Sequence, residues 1–183
     1  MKLLGISGSL RHASFNTGLL RAAQTLTPQG VTLELLDISR LPLYNEDVRT
    51  LGFPPEVAAM RASIAAADAL LFATPEYNYS VPGVLKNAID WGSRPPDQPF
   101  AGKPFAVMGA SGGLGGTLRA QYHLRQIAVF VDLLAFNKPE VTVRSAGDKF
   151  DAQGNLTDED TRAQVGKLVE ALVAWTRRLR PGP

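Results

Sequence analysis

Three short, predominantly apolar segments constrain the fold of this chain more than any other feature. They span residues 3–7, 69–74 and 104–110, and none of them alternates between apolar and polar side chains. Unalternated runs of this length are typical of strands that are buried on both faces, at the centre of a parallel sheet. The segments at 32–38 and 141–144 alternate more and are predicted as outer strands. Five strands are therefore expected, three of them central.

Helical periodicity lies between these strands. The predicted helices span residues 15–26, 55–67, 83–92, 116–131 and 161–179. Strict alternation of strands and helices implies parallel pairing with right-handed crossovers, and two outer strands around three buried ones fit the order 2-1-3-4-5. We predict an α/β, flavodoxin-like three-layer sandwich that forms one domain over residues 1–183. Residues 41–47 and 150–160 are predicted as surface loops.

Composition restricts the partners and the chemistry. The chain has no cysteine, so disulfides, iron–sulfur ligation and a thiol nucleophile are excluded. A formal net charge of +2 with a pI of about 9.0 favours anionic small molecules, and no arginine–aromatic stripe of an RNA-binding sheet is present. No apolar run approaches the roughly 18 residues of a membrane span, and no signal h-region is found. We expect a cytoplasmic protein that binds neither nucleic acid nor membrane.

The loop after the first strand has the composition of an anion site. It opens the first predicted helix, whose N–H groups and dipole favour a bound anion. Arg11 offers a bidentate guanidinium suited to phosphate, and further donors come from Ser9, Ser14, Asn16 and Thr17. A simpler interpretation, in which Ser14 only caps the helix and Arg11 is solvated, stays open. The chain contains neither a GxxxxGK[ST] nor a GxGxxG motif, which argues against triphosphate hydrolysis and a dedicated dinucleotide fold.

The loop after the third strand combines aromatic, acidic and amide side chains. Its sequence, TPEYNYSVPG, follows a buried strand and runs directly into a helix. Tyr77 and Tyr79 offer flat faces, and Glu76 and Asn78 are suited to the edge of a heterocycle. Each residue alone is compatible with an ordinary turn. Their density beside a buried strand indicates a planar ligand.

The loop after the fourth strand, GASGGLGG, is rich in glycine. Glycines let a ligand ring approach backbone N–H groups, which stabilise negative charge on a planar cofactor. The loop also matches the GxSxG motif, with Ser111 as the nucleophile. The only histidine after Ser111 is His123, with no acidic residue between them, so a hydrolase triad is not predicted. No His, Asp and Glu residues show metal-ligand spacing, and we expect no metal site.

Four segments resemble the NADPH-dependent FMN reductase family, in particular its chromate and quinone reductase and azoreductase-like branch. They are GSLRHASFNTGLLRAA, LPLYNED, TPEYNYSVPGVLKNAIDWGSRP and GKPFAVMGASGGLGGTLRAQYHLRQ, and the likeness extends to Glu140. The resemblance implies noncovalent FMN, reduced by NADPH or NADH. It implies reoxidation by a small-molecule electron acceptor such as a quinone, an azo compound or a metal oxyanion such as chromate.

The resemblance also assigns a cofactor site. The residues that would hold the FMN phosphate and its surroundings are Ser9, Arg11, Ser14, Phe15, Asn16 and Thr17. Pro75, Glu76, Tyr77 and Asn78 would border the isoalloxazine, and Ser111, Gly112 and Gly113 would line its pyrimidine end. The role of His12 is left open. Flavin N5 carries the hydride, so no catalytic side chain is expected.

Two further expectations concern kinetics and assembly. One planar cofactor site without a second nucleotide motif predicts a ping-pong oxidoreductase. The alternative is a flavodoxin-type electron carrier. The net charge of +2 disfavours this alternative because such carriers use acidic docking faces. The helix at 83–92 and the apolar stretch 127–136 offer more apolar surface than one sheet face needs. With the family resemblance, this predicts a homodimer or homotetramer. Alternatively, the stretch enters a buried strand.

Overall fold

The computed structural model describes residues 1–179, which contain one parallel sheet. Its strands are β1 (Lys2–Ser7), β2 (Thr32–Leu36), β3 (Ala69–Ala73), β4 (Pro104–Ala110), β5 (Leu134–Ala135) and β6 (Val141–Val143). The sheet runs β2-β1-β3-β4-β5, and β6 also pairs with β4. Every pairing is parallel. The predicted flavodoxin-like order is confirmed, while the predicted number of strands is wrong by one.

The extra strand arises because the fifth position of the sheet is shared by two short segments. β5 pairs with the start of β4, where Leu134 lies opposite Pro104, and β6 pairs with its end, where Val141 lies opposite Met108. Residues 136–140 leave the sheet between them. The predicted strand at 141–144 is β6, whereas β5 lies inside the apolar stretch 127–136. That stretch therefore supplies both the last helical turn before the strand and the strand itself.

Six α-helices surround the sheet within the described residues. They are α1 (Phe15–Thr25), α2 (Glu46–Thr50), α3 (Pro55–Ala66), α4 (Gly83–Gly92), α5 (Leu118–Phe130) and α6 (Glu159–Leu179). The five predicted helices are all present, with ends that differ by at most two residues. The short α2 was not predicted. It overlaps the expected loop 41–47, and Asn45 caps it by accepting a hydrogen bond from the Asp47 N–H at 2.9 Å.

The helices form two layers because each central strand supplies two cores. Successive side chains of a strand point to opposite faces of the sheet. Leu3 and Leu71 pack in the core that also contains residues of α1 and α6, while Leu4 and Phe72 pack in the core with α3, α4 and α5. This division explains why the central strands are apolar throughout rather than at alternate positions.

Parallel pairing brings the carboxyl ends of β1, β3 and β4 to one edge, where three loops follow. We name them the first loop (residues 8–14), the second loop (74–82) and the third loop (111–117). The backbones approach closely here: a Cβ added to Gly109 would lie 2.3 Å from the Thr74 carbonyl oxygen, so only glycine fits. The strand order of the sheet reverses between β1 and β3. In such sheets, ligands usually bind at this point. Within residues 1–179, no helix has the length and apolarity needed to cross a bilayer.

Candidate functional site

A cavity of about 470 Å³ opens at this edge of the sheet. Its size is typical of small-molecule sites. The three loops and the first turns of α1 and α5 form its walls. The lining residues are Ser9, Arg11, Ser14, Phe15, Asn16, Pro75, Glu76, Tyr77, Ala110, Ser111, Gly112, Gly113, Gly115, Gly116 and Arg119.

Eleven of the thirteen predicted cofactor-binding residues line this cavity, and Thr17 and Asn78 do not. The Thr17 hydroxyl is instead paired with the Ser7 hydroxyl at 2.9 Å. Sequence reasoning missed Arg119, which stands at the start of α5 just beyond the glycine-rich loop. Its place on the chain could have been noticed. Its contact with Glu76, 43 residues earlier, could not.

The first loop delivers the amino end of α1 to the cavity. Ser14 is buried, and its hydroxyl oxygen accepts a hydrogen bond from the Thr17 N–H at 3.2 Å. Its carbonyl oxygen accepts from the Gly18 N–H at 2.9 Å. The backbone N–H groups of Phe15 and Asn16 precede the first intrahelical hydrogen bond and remain donors for an anion. Ser14 is thus a helix cap, as the simpler interpretation held, and it also lines the cavity.

Arg11 brings a positive charge to the same end of the cavity. Its Nη2 donates to the Ala13 carbonyl oxygen at 2.6 Å, and its guanidinium lies 4.6 Å from the centre of the Phe15 ring. Phe15 in turn stacks on Phe150 with ring centres 4.7 Å apart. The guanidinium has five N–H donors, so these contacts orient it without exhausting its capacity to bind an anion.

Asn16 joins the start of α1 to the end of β4. Its side-chain Nδ2 donates to the Ala110 carbonyl oxygen at 3.0 Å, and its Oδ1 accepts from the Ala110 N–H at 2.9 Å. The residue is only 3% exposed. Both polar atoms of the amide are therefore engaged by the end of β4, and the side chain holds the cavity walls together.

Glu76 links the second loop to α5. One carboxylate oxygen accepts from the backbone N–H groups of Arg119 and Ala120, at 2.9 and 3.2 Å, and the other pairs with the Arg119 guanidinium at 3.0 Å. The carboxylate is 11% exposed and lies at the positive end of the helix dipole. Thr117, the N-cap residue of α5, makes no capping bond with its own side chain. Glu76 therefore caps α5 from a distant part of the chain.

The tip of the second loop is a tight turn that explains the position of Asn78. The backbones of Tyr77 and Ser80 exchange two hydrogen bonds of 3.0 Å. Asn78 and Tyr79 between them have φ values of 50° and 64°, as in a type I′ turn. Asn78 thus adopts the left-handed conformation that asparagine tolerates well, and does not line the cavity. Tyr79 lies against Arg119, whose guanidinium is 4.0 Å from the ring centre.

The third loop offers backbone donors. Ser111 closes the loop, because its hydroxyl donates to the Gly116 carbonyl oxygen at 2.7 Å. Among residues 1–179, no protein group accepts a hydrogen bond from the N–H of Gly112 or Gly113. His123 pairs with the Ser80 hydroxyl at 3.0 Å rather than with Ser111, in agreement with the rejection of a hydrolase triad. In the same part of the chain, no group of three or more His, Asp or Glu side chains is arranged for a metal ion.

Comparison with known proteins assigns the family. The model of the NADPH-dependent FMN reductase family matches residues 1–148. The chain belongs to this family. An NAD(P)H-dependent FMN reductase of Pseudomonas aeruginosa is 61% identical over 98% of the chain and 97% of the relative, and an NADPH:quinone oxidoreductase of Arabidopsis thaliana is 50% identical over 98% and 94%.

A solved structure agrees with this assignment. The flavoenzyme NAD(P)H:acceptor oxidoreductase from Paracoccus denitrificans has a TM-score of 0.87 and 36% identity, and the match covers 97% of both chains. The predictions of the family, of an enzyme, and of FMN with NAD(P)H as electron donor are confirmed by these findings. An FMN reductase needs no acid or base of its own for hydride transfer, because the flavin supplies the reacting atom.

The two hydrogen bonds between Asn16 and Ala110, which we call the clamp, should contribute to the free energy of unfolding. Replacing Asn16 by Leu keeps the side-chain size but leaves a buried N–H and a buried carbonyl unpaired, each at a cost of about 1–3 kcal/mol. We expect Asn16→Leu to lower the free energy of unfolding by about 2–4 kcal/mol, measured by urea titration with circular dichroism. Gln164→Leu, an amide replaced on the exposed face of α6, should change it by less than about 0.5 kcal/mol. Equal stability of the two variants would contradict the clamp.

Proposed function

We propose that this protein transfers two electrons from NAD(P)H through FMN to quinones. The observation that carries the proposal is one cavity where the strand order reverses, with Arg11 and the amino end of α1 at one end and glycine backbone donors at the other. The relatives support the choice of acceptor, since the Arabidopsis protein is named for quinone reduction. We include azo compounds and metal oxyanions such as chromate as further acceptors. Several reductases among the relatives argue against a carrier without its own NAD(P)H turnover.

The residues of the cavity fit FMN. The group accepts and returns a hydride at its N5 atom when bound. Ser9, Arg11 and the first N–H groups of α1 would hold the terminal phosphate, where a guanidinium and a helix amino end are both favourable to a dianion. Pro75 and Tyr77 would border the ring. The N–H groups of Gly112 and Gly113, with Ser111, would line its pyrimidine end and favour negative charge there.

Four of the predicted contact residues receive a positioning role in this proposal. The polar atoms of Asn16 and Glu76 are engaged by Ala110 and by α5. Thr17 pairs with Ser7, and Asn78 forms the turn at the tip of the second loop. These side chains set the shape of the cavity, while Arg11 and the backbone donors of the first and third loops are left to bind the cofactor.

The donor and the acceptor have to use this cavity in turn. In this proposal both need the same face of one planar ring, which would lie in the cavity at the edge of the sheet. We therefore propose that oxidised NAD(P) leaves before the quinone enters.

An apolar surface on α5 supports assembly into a homodimer or homotetramer. Leu118, Tyr122 and Val129 lie on one face of this helix, followed by Phe130 at its end. Val129 and Phe130 are 82% and 80% exposed, which is unusual for side chains of this kind. The α4 helix adjoins a different face of α5, since a cleft there is lined by Gly83 and Lys86 of α4 and by His123 of α5.

Loss of Arg11 should weaken cofactor binding. We expect Arg11→Ala to reduce FMN affinity by about 1.5–3 kcal/mol, the worth of a hydrogen bond to a charged group, measured by titrating FMN-free protein. Arg177→Ala removes the same charge from the exposed end of α6 and should leave FMN binding unchanged. An unaltered affinity in Arg11→Ala would remove this residue from the site.

Sequential use of the cavity predicts a kinetic pattern. Initial rates measured against both NAD(P)H and a quinone should give parallel double-reciprocal lines, because the first product leaves before the second substrate binds. Intersecting lines would show that both substrates bind together and would refute the shared face. Failure of NAD(P)H to bleach the flavin would favour the carrier.

The α5 surface predicts the oligomeric state. Light scattering at micromolar concentration should give a multiple of the 19.7 kDa chain mass, and Phe130→Glu should shift it towards one chain by placing a charge in the apolar interface. Leu51→Glu alters a side chain that is 91% exposed elsewhere and should leave the mass unchanged. A mass of one chain for the unaltered protein would count against assembly.

A further inference from the structure

A second cavity lies at the carboxyl ends of β1 and β2, on the other side of the first loop. Its volume is about 360 Å³. Ser9 and Arg11 line both cavities, so this part of the first loop is a wall between them. The proposed site of FMN makes no use of the second cavity. It adjoins the end of the first cavity at which we place the FMN phosphate.

The walls of the second cavity combine apolar side chains with one carboxylate. Leu10, Leu35 and Ile38 contribute apolar surface, and Leu10 is 50% exposed although it borders a concave surface. Asp37 follows β2 directly and Ser39 lies two residues beyond it. An apolar cleft with a few polar groups is the usual composition of a site for a flat organic ligand.

Asp37 is held as an ionised acceptor. Its carboxylate accepts a hydrogen bond from the Ser39 N–H at 2.8 Å. The pKa of Asp37 lies below its ordinary value because the backbone N–H and hydroxyl of Ser39 donate to it and because the positive charge of Arg40 is near. At neutral pH the cavity therefore presents a fixed negative acceptor beside an apolar wall.

A nucleoside matches both features. Its base is flat and apolar on its faces, and its ribose hydroxyls are donors for a carboxylate. In dinucleotide-binding sheets the same topological position, an acidic residue at the end of the second strand, accepts a hydrogen bond from the ribose of the adenosine half. The present chain has an acidic residue at that position although it lacks a GxGxxG motif.

We propose that the second cavity binds the adenosine half of the nicotinamide donor, with Asp37 accepting hydrogen bonds from the adenosine ribose. The inference rests on the proposed function, because the nicotinamide half of the same molecule has to reach the first cavity. Arg11 stands on the wall that the donor crosses and is suited to its pyrophosphate. A quinone has no adenosine, so the second cavity would bind only the donor. The donor and the quinone would still use the first cavity in turn.

Comparison of two donors tests this assignment. NADH carries the adenosine half, and reduced nicotinamide mononucleotide lacks it while keeping the reacting ring. In stopped-flow reduction of the FMN-loaded protein, Asp37→Asn should raise the half-saturating NADH concentration about tenfold, the effect of weakening one hydrogen bond to a charged group. The value for the mononucleotide should not change. Asp160→Asn, which removes the same charge from the exposed start of α6, should affect neither donor.

A binding measurement separates this inference from the proposed function. ADP-ribose, which contains the adenosine half and no nicotinamide, should bind the FMN-loaded protein in calorimetry and compete with NADH, and Asp37→Asn should weaken its binding about tenfold. No binding of ADP-ribose, or an equal effect of Asp37→Asn on both donors, would overturn the proposal. If neither donor reduces the flavin, the proposed function fails, and ADP-ribose binding still decides the adenosine site.

Discussion

Parallel pairing of β1, β3 and β4 is the constraint on which the rest of this structure depends. Parallel strands place all their carboxyl ends at one edge, so the three loops that carry the chemistry emerge side by side although they are distant in the chain. The close approach at Gly109 to the Thr74 carbonyl brings the second and third loops together without an intervening side chain. The cavity is thus a direct consequence of strand direction and of backbone distance.

Two polar side chains, Asn16, which is buried, and Glu76, which is largely buried, then hold this edge of the sheet together. Asn16 ties the start of α1 to the end of β4, and Glu76 ties the second loop to the start of α5. Each of these side chains satisfies backbone groups that would otherwise be buried without a partner or left at a helix end, where they are costly. As a consequence, the polar side chains of Asn16 and Glu76 fix the shape of the site, whereas backbone N–H groups and Arg11 remain available to bind the ligand. This division suits a flavoenzyme, since the cofactor supplies the reacting atom.

Electrostatics of the edge follow the same arrangement. The amino ends of α1 and α5 both point at the cavity wall, but only that of α5 is neutralised, by Glu76. The α1 end keeps its positive character and is reinforced by Arg11. A dianionic phosphate is therefore favoured at the first loop. The second cavity beyond this loop has the opposite charge, which comes from the carboxylate of Asp37.

Local patterns in the sequence determined most of the architecture. Unalternated apolar runs require strands buried on both faces, and their alternation with amphipathic segments allows few arrangements other than the observed order. Ser14 as a helix cap and residues 112 and 113 as part of a glycine-rich loop at a strand end were recognised because these features depend on neighbours in the chain. The family resemblance then named FMN and NAD(P)H, which the comparisons confirm.

Only the tertiary structure decided how the polar side chains are used. Asn16 and Glu76 have the chemistry of ligand contacts, yet their partners lie 94 and 43 residues away, and no local pattern encodes such pairings. The division of the fifth sheet position between β5 and β6 likewise depends on pairing with β4, which such short segments do not specify by themselves. The second cavity exists because Arg11 and Asp37, on separate loops, are brought to the same edge by the pairing of β1 with β2. Sequence determines which groups are available, whereas long-range packing determines which of them are still free to bind.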